Sequence, residues 1–205
     1  YEQAKAARDI AQLNSGQAGT SLTDTKSQAL NAISNAYSTM DDAVRGKTDQ
    51  AFSDPTFEQA KLIISVADAN LVNKIEAKRK VIEKMLIARE AKNKTLTKTS
   101  DLLAELTTVQ NEVDSIKVYL DDLYTAHSKA IPDSRFNQAA LDGSKASTQA
   151  ARQSIIGLSS SVVAARTSLN ASISATQVAG NTSTIVSGTL ATSEAQVKQA
   201  LGAYN

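Results

Sequence analysis

The stretch LLAELTTVQNEVDSIKVYLDDL, residues 102–123, decides the fold class. Its apolar residues recur at alternating spacings of four and three, which places them along one seam of a helix. Mostly polar residues lie between them. This heptad-like run predicts a helix that packs against another helix along its length. The seam consists of Leu102, Leu106, Val109, Val113, Ile116, Leu120 and Leu123.

A second seam lies further along the chain and uses smaller residues. Small side chains allow two helices to approach closely, so this run also favours helix-on-helix packing. Shorter seams near residues 6–13, 30–44 and 186–200 complete the pattern, and together they predict an all-α fold, an elongated antiparallel helical bundle. The second seam contains Ala151, Ile155, Leu158, Val162, Ala165 and Leu169 and continues more weakly through Ser172, Thr176 and Ala179.

Turn-forming residues divide these seams and give the predicted helix boundaries. Ser15–Gly19 separates a short first helix from the second, and Gly180–Ser183 opens the last one. Asp54 suits the N-cap, and Pro55 the first position, of a helix that begins at Thr56. The sequence therefore predicts one elongated domain, residues 1–205. Its predicted helices are 1–14, 23–51, 56–91, 100–130, 134–179 and 184–204.

The main helical hairpin is predicted at about 56–130. Extended backwards, the seam of residues 102–123 meets Thr99, Thr95 and Lys92 instead of apolar residues, which favours an apex there. Lys61–Lys98 carries ten basic and four acidic residues, whereas Asp101–Asp122 carries six acidic and one basic, so folded-back arms would face opposite charge. One continuous helix is the alternative, because no Gly or Pro marks the apex.

The composition excludes several kinds of site. With no cysteine, the chain cannot form a disulfide, a thiolate zinc site or an iron–sulfur cluster. The single histidine, His127, has no matching ligand at i+4, so we interpret it as a packing residue at a helix end. The carboxylate pairs Asp41-Asp42 and Asp121-Asp122 are interpreted as solvated helix faces. No catalytic, cofactor-binding or metal-binding residue is predicted, and the chain is not expected to be an enzyme.

The basic cluster near the apex is the largest local charge imbalance. Interleaved glutamates and the absence of aromatic residues argue against nucleic acid as a partner, as does the net charge of +1. Lys92, Lys94 and Lys98 are the predicted contact residues if the apex binds a partner.

Three N-glycosylation sequons are candidate modification sites, at Asn93, Asn170 and Asn181. Their number is close to what chance gives in a chain this rich in Ser and Thr. The positions of two sequons are stronger evidence that they are glycosylated, because Asn93 and Asn181 lie in two of the predicted loops.

A cysteine-free chain with 33 alanines, long Ala/Ser helices, a Thr-bearing hairpin apex and no catalytic motif resembles a known family. It is similar to the alanine-rich surface coat proteins of African trypanosome insect stages, the class of the brucei alanine-rich protein and the glutamic acid/alanine-rich protein. With only eight Glu, the chain is more similar to the alanine-rich branch.

The resemblance implies a non-enzymatic coat protein on the extracellular face of the plasma membrane. Attachment would be through a glycosylphosphatidylinositol anchor outside this chain, self-association in a dense coat is possible, and the partner would be a host or vector surface molecule. The alternative function is a minor pilin or adhesin-like component of a bacterial type IV secretion system, in which the sequons would be accidental.

Overall fold

The computed structural model describes residues 1–56 and 60–203 and contains four long α-helices in that part of the chain. They are α1 (Glu2–Asp41), α2 (Ala69–Asn93), α3 (Leu102–Lys129) and α4 (Gln138–Gly202). The helices pack against one another, which confirms the predicted all-α bundle. Between α1 and α2 lie a π-helical turn at Asp42–Gly46, a 3₁₀ turn at Asp49–Ala51 and two short strands, β1 (Phe52–Ser53) and β2 (Lys61–Leu62), paired antiparallel.

The described residues form two compact units. Unit 1 combines residues 1–28 of the first helix with residues 167–203, and unit 2 contains residues 29–166. Helices α1 and α4 contribute residues to both units. Unit 2 holds the hairpin of α2 and α3 and most of the buried apolar residues. The prediction of a single domain remains a prediction.

The predicted hairpin is confirmed, and the alternative of one continuous helix is wrong. Helix α2 ends at Asn93 and α3 begins at Leu102, so the chain reverses across residues 94–101. The Asp101 side chain accepts a hydrogen bond from the Ala104 N–H and caps α3. All seven residues of the Leu102–Leu123 seam are buried. The opposite charges of the two arms meet as predicted, with Lys74 and Lys78 both bound to Asp122.

The predicted start of the hairpin at Thr56 is wrong. Asp54 lies in the left-handed region, with a φ of 46°, and belongs to the turn between the two strands instead of capping a helix. The first arm begins at Ala69, where Asp68 acts as the N-cap and accepts from the Leu71 N–H at 3.1 Å. The local Asp-Pro signal is therefore overridden by the pairing of β1 with β2. Residues 57–59 of the predicted helix 56–91 lie outside the described residues.

The predicted break at Ser15–Gly19 is also wrong, because α1 runs through both glycines. A glycine in a helix interior costs about 1 kcal/mol relative to alanine, but a continuous packing seam offsets that cost here. One set of buried and half-buried residues of α1 keeps the four-three alternation across the glycines without a change of phase. They are Ala4, Arg8, Ala11, Ser15, Ala18, Leu22, Thr25 and Ala29. The predicted seam near residues 6–13 is wrong, because Ile10 and Leu13 lie off this set and are exposed.

The same correction applies to Gly180, which lies inside α4 rather than at the start of a separate helix. The seam passes from Ala179 to Ser183, Val186 and Leu190 with the spacing it has before the glycine. The chain is non-helical at residues 131–133, as predicted, but the predicted helix start at residue 134 is wrong. Helix α4 begins at Gln138 after Asn137, whose side chain accepts from the Ala140 N–H. Residue 204 of the predicted last helix lies outside the described residues.

Candidate functional site

The apex of the hairpin is the predicted contact site, and its backbone is held by local hydrogen bonds. The Thr95 N–H binds the Lys92 carbonyl at 3.0 Å and continues the last turn of α2. The Thr97 N–H donates to the Ser100 hydroxyl at 3.1 Å, and the hydroxyls of Thr97 and Thr99 lie 2.8 Å apart. The apex therefore presents a group of exposed hydroxyls on a defined loop between two rigid helices.

The structure gives the three predicted contact lysines different surroundings. Lys92 binds Glu105 across the hairpin at 3.1 Å, and Lys94 binds Glu90 on its own helix at 2.8 Å. Lys98 is exposed and has no ion pair among residues 1–56 and 60–203. All three lie within seven positions of one another at the apex, but Lys98 alone presents an uncompensated positive charge there.

The three sequon asparagines also differ in accessibility. Asn93, the last residue of α2, is half-buried, and its Oδ1 atom is enclosed without a hydrogen-bond partner. Asn170 and Asn181 are exposed, but both lie inside α4. The prediction that Asn181 lies in a loop is wrong, because the break at Gly180 does not exist. Among the three, Asn170 and Asn181 leave a side-chain amide open to solvent.

The most strongly paired charged residues lie inside unit 2, where the sequence analysis does not place them. Arg79 is 0% exposed, and its guanidinium donates to Asp49 Oδ1 at 2.8 Å and to Glu83 Oε2 at 2.7 Å. Arg45 joins this group from the π-helical turn, since it binds both Glu83 and Asp41. We call Asp41, Arg45, Asp49, Arg79 and Glu83 the interior ion network.

Ion pairing outweighs burial at Arg79 and Glu83 of the interior ion network. Burial acts against the charge on Arg79, but its hydrogen bonds to Asp49 and Glu83 outweigh burial and raise the pKa of its guanidinium. Burial likewise opposes the charge on Glu83, and the two arginines outweigh it and lower the pKa of Glu83. Burial prevails at Asp49, and it raises the pKa of that carboxyl despite the hydrogen bonds from Arg79. The network links the π-helical turn to α2 through Arg45 and Glu83.

A second buried arginine joins the two arms of the hairpin. Arg89 of α2 donates to both carboxylate oxygens of Glu112, at 2.8 and 2.9 Å, and to Glu105 at 3.0 Å. This bidentate geometry fixes the register of α2 against α3 below the apex. Arg79 and Arg89 both occupy seam positions of α2, at the four-three spacing that also contains Ile75, Ile82 and Leu86. That phase is the sequence signal that could have identified them as interior residues.

Tyr119 and Thr48 form a buried hydroxyl pair beside the interior ion network. Their oxygens lie 3.1 Å apart, and Thr48 donates its own proton to the Val44 carbonyl at 2.7 Å. The Tyr119 hydroxyl is therefore the donor in the pair. Burial raises the pKa of Tyr119, so the phenol stays protonated throughout the physiological range.

His127 has the contacts of a serine–histidine pair but no access to solvent. Its Nδ1–H donates to the Leu123 carbonyl at 2.8 Å, which leaves Nε2 as the acceptor for the Ser144 hydroxyl at 2.7 Å. Burial lowers the pKa of His127, so the ring is neutral at pH 7. Because both side chains are buried, a substrate cannot reach the serine oxygen. The pair joins α3 to α4, in agreement with the interpretation of His127 as a packing residue.

Within residues 1–56 and 60–203, no group of three or more Asp, Glu or His side chains is arranged to hold a metal ion. No helix in that same part of the chain is long and apolar enough to cross a membrane. No protein family matches this chain, and no curated protein or solved structure is significantly similar to it. The resemblance to alanine-rich coat proteins therefore stays a prediction from the sequence.

Proposed function

We propose that the chain is the non-enzymatic helical part of a cell-surface coat protein that contacts a host or vector molecule through its hairpin apex. In its full-length form the protein is held to the extracellular face of the plasma membrane by a lipid anchor outside this chain, and it forms a protective or spacing layer. The exposed apex, with its hydroxyls and the uncompensated charge of Lys98, is the observation that carries the proposal.

The distribution of charge supports this assignment. The ion pairs of the interior ion network and of Arg89 hold helices together, and Arg79, Glu83 and Arg89 are buried. A site for acid–base chemistry would need titratable groups that a substrate can reach. What remains accessible at the end of the hairpin is a surface suited to binding, and a binding surface on a rigid scaffold is what a coat protein presents.

The exposed sequons support a surface location in the same way. Asn170 and Asn181 lie on α4 with their side chains in solvent, so a glycan attached there would project away from the helix. Asn93 is the weaker candidate, because one end of its amide is enclosed. We therefore propose Asn170 and Asn181 as the modified positions.

The test of the coat function is the intact mass of the protein purified from its native source. We expect a mass above that of its full-length polypeptide, of which this chain contributes 21.6 kDa. Phospholipase or glycosidase treatment should remove the excess as a lipid anchor or as glycan. A native protein whose mass equals that of its bare polypeptide would contradict the proposal and favour the secretion-pilus alternative.

The contact at the apex is tested separately by removing its positive charges. We expect the triple variant Lys92→Gln, Lys94→Gln, Lys98→Gln to keep its helicity and to bind cultured host or vector cells about tenfold more weakly, the sum of three modest charge contacts. The measurement is binding of the fluorescently labelled protein to those cells.

A variant with the same change in net charge is the control for this experiment. Lys5, Lys117 and Lys198 are exposed and are not part of the apex, so their replacement by Gln should leave cell binding unchanged. Equal binding by both triple variants would rule out the apex as the contact site.

A further inference from the structure

The core of unit 2 contains polar side chains where the end of α3 packs against the N-terminal part of α4. His127 of α3 is 2% exposed, and Ser144 and Thr148 of α4 are 1% and 0% exposed. His127 occupies the next seam position after Leu123, the last apolar residue of the α3 seam. A titratable ring therefore takes a core position of the kind that apolar side chains fill along the rest of that seam.

The hydrogen bonds of His127 require the neutral ring. The Leu123 carbonyl can only accept, so Nδ1 carries the ring proton, and Nε2 accepts from the Ser144 hydroxyl at 2.7 Å. Protonation of Nε2 would turn this acceptor into a donor, and the Ser144 hydroxyl would have to turn its own proton towards a different acceptor. The contact between α3 and α4 is thus built for the uncharged form of the ring.

The surroundings of the ring also oppose a positive charge. Burial is the larger influence, and it lowers the pKa of His127, while Lys145 of α4 lowers it further by repulsion. The Lys145 ammonium lies 5.3 Å from the centre of the Tyr124 ring, a cation–π contact that favours its charged form at this position. A protonated His127 would therefore be a second cation beside Lys145, inside the protein.

The carboxylates at this end of α3 and α4 have other partners. Among the described residues, none of them acts on the His127 ring, so a positive ring has no acidic group to compensate it. An uncompensated buried charge is costly to the packed state. These carboxylates and their partners are Asp121 with Arg152, Asp122 with Lys74 and Lys78, Asp142 with Gln138, Asp68 with Lys129, and Asp133 with the backbone N–H groups of Arg135 and Phe136.

We infer that the pair of His127 and Ser144 is an acid-sensitive contact, and that protonation of the ring releases the end of α3 from the N-terminal part of α4. In an opened chain the imidazole is hydrated and has a pKa of about 6.5, whereas in the packed chain its pKa is lower. The contact is therefore fully stable above about pH 6.5 and weakens as the pH falls below that value. His127 lies at the opposite end of α3 from the hairpin apex, so acid should open one end of the hairpin arm and leave the apex intact. The inference does not depend on the function proposed above.

The protonation of the ring can be measured directly, because the chain contains one histidine. The Hε1 proton of His127 gives a single NMR signal, which we follow from pH 8 to pH 4 in the wild-type chain. We expect its midpoint to lie below the value of about 6.5 that an exposed histidine has. A midpoint at or above that value would overturn the inference, because protonation would then not weaken the contact.

Amide hydrogen exchange of the wild type and of His127→Gln tests the release itself. The glutamine amide can donate and accept as the neutral ring does, but it does not titrate. The ratio of wild-type to variant exchange rates in residues 124–130 and 141–148 should rise about tenfold between pH 7 and pH 5. Because both chains are compared at the same pH, the intrinsic pH dependence of exchange cancels.

Residues 102–113, in the half of α3 next to the apex, are the internal control. Their exchange ratio should be the same at both pH values, because the opening is local. A ratio for residues 124–130 and 141–148 that does not change with pH would overturn the inference, and so would a ratio that rises equally in residues 102–113. Circular dichroism at pH 7 checks that His127→Gln folds, and the NMR titration of the wild type decides the inference without the variant.

Discussion

Replacing Arg79 with methionine is expected to lower the free energy of unfolding by about 3–5 kcal/mol, the loss observed when one partner of a buried ion pair is removed. Methionine keeps the unbranched stem but is shorter than arginine, so the change removes both the charge and the packing of the buried guanidinium. Asp49 would lose both of its hydrogen bonds from the guanidinium, and Glu83 would keep only Arg45. Urea unfolding followed by circular dichroism measures the change.

The matched control is Arg135→Met. Arg135 is exposed in the loop before α4 and has no ion pair within the described residues, so the same substitution there should leave stability close to that of the wild type. Acidic conditions give a second check. Protonation of the abandoned carboxylates removes their unpaired charge, so the difference between Arg79→Met and the wild type should shrink at low pH. Equal stability of the two methionine variants at pH 7 would contradict the structural role of the network.

Gly16→Ala and Gly180→Ala are expected to raise the free energy of unfolding by about 1 kcal/mol each. Both glycines lie inside continuous helices, and a Cβ at either position meets open space. Alanine therefore gains helix propensity, and it reduces the freedom of the unfolded chain, without a steric cost. Urea unfolding of the two single variants measures the change.

Gly157→Ala is the reference for this prediction. Gly157 also lies inside α4 with open space around it, and the sequence already predicts a helix at that position. All three variants should therefore be stabilised by similar amounts. If Gly16→Ala or Gly180→Ala destabilises the chain while Gly157→Ala stabilises it, the glycine adopts a turn conformation and the continuous helix is wrong at that point.

Much of the fold follows from the sequence because the seams of α3 and α4 are strongly apolar. The run from Leu102 to Leu123 is confirmed residue by residue, and the charge contrast of the arms correctly favours a hairpin over one long helix. The apex at residues 94–101 lacks Gly and Pro, so its prediction depended on the loss of the seam and on charge. The loss of the seam and the charge contrast both reflect how the helices pack, so they predict the turn here better than local turn residues do.

The errors arise where a local signal competes with the phase of a seam. The composition of Ser15–Gly19 and of Gly180 is typical of a helix break, but the four-three spacing of the seam continues through both. Small seam residues such as Ala11 and Ala18 have low hydropathy, so the seam is hard to recognise from hydropathy alone. Arg79 and Arg89 were missed for the opposite reason. Their charge predicts that they are exposed to solvent, whereas their spacing along α2 places them on its buried side. Only the structure shows that Asp49, Glu105 and Glu112 lie close enough to pair with them.

The composition of α4 also determines how this protein behaves in a protease digest. Trypsin cleaves after lysine and arginine, and between Arg166 and Lys198 the chain contains neither. Complete digestion therefore releases residues 167–198 as one peptide, which contains both Asn170 and Asn181. Peptide mapping with trypsin alone reports the summed modification of these two asparagines, and a second protease that cuts between them is needed to assign a glycan to either.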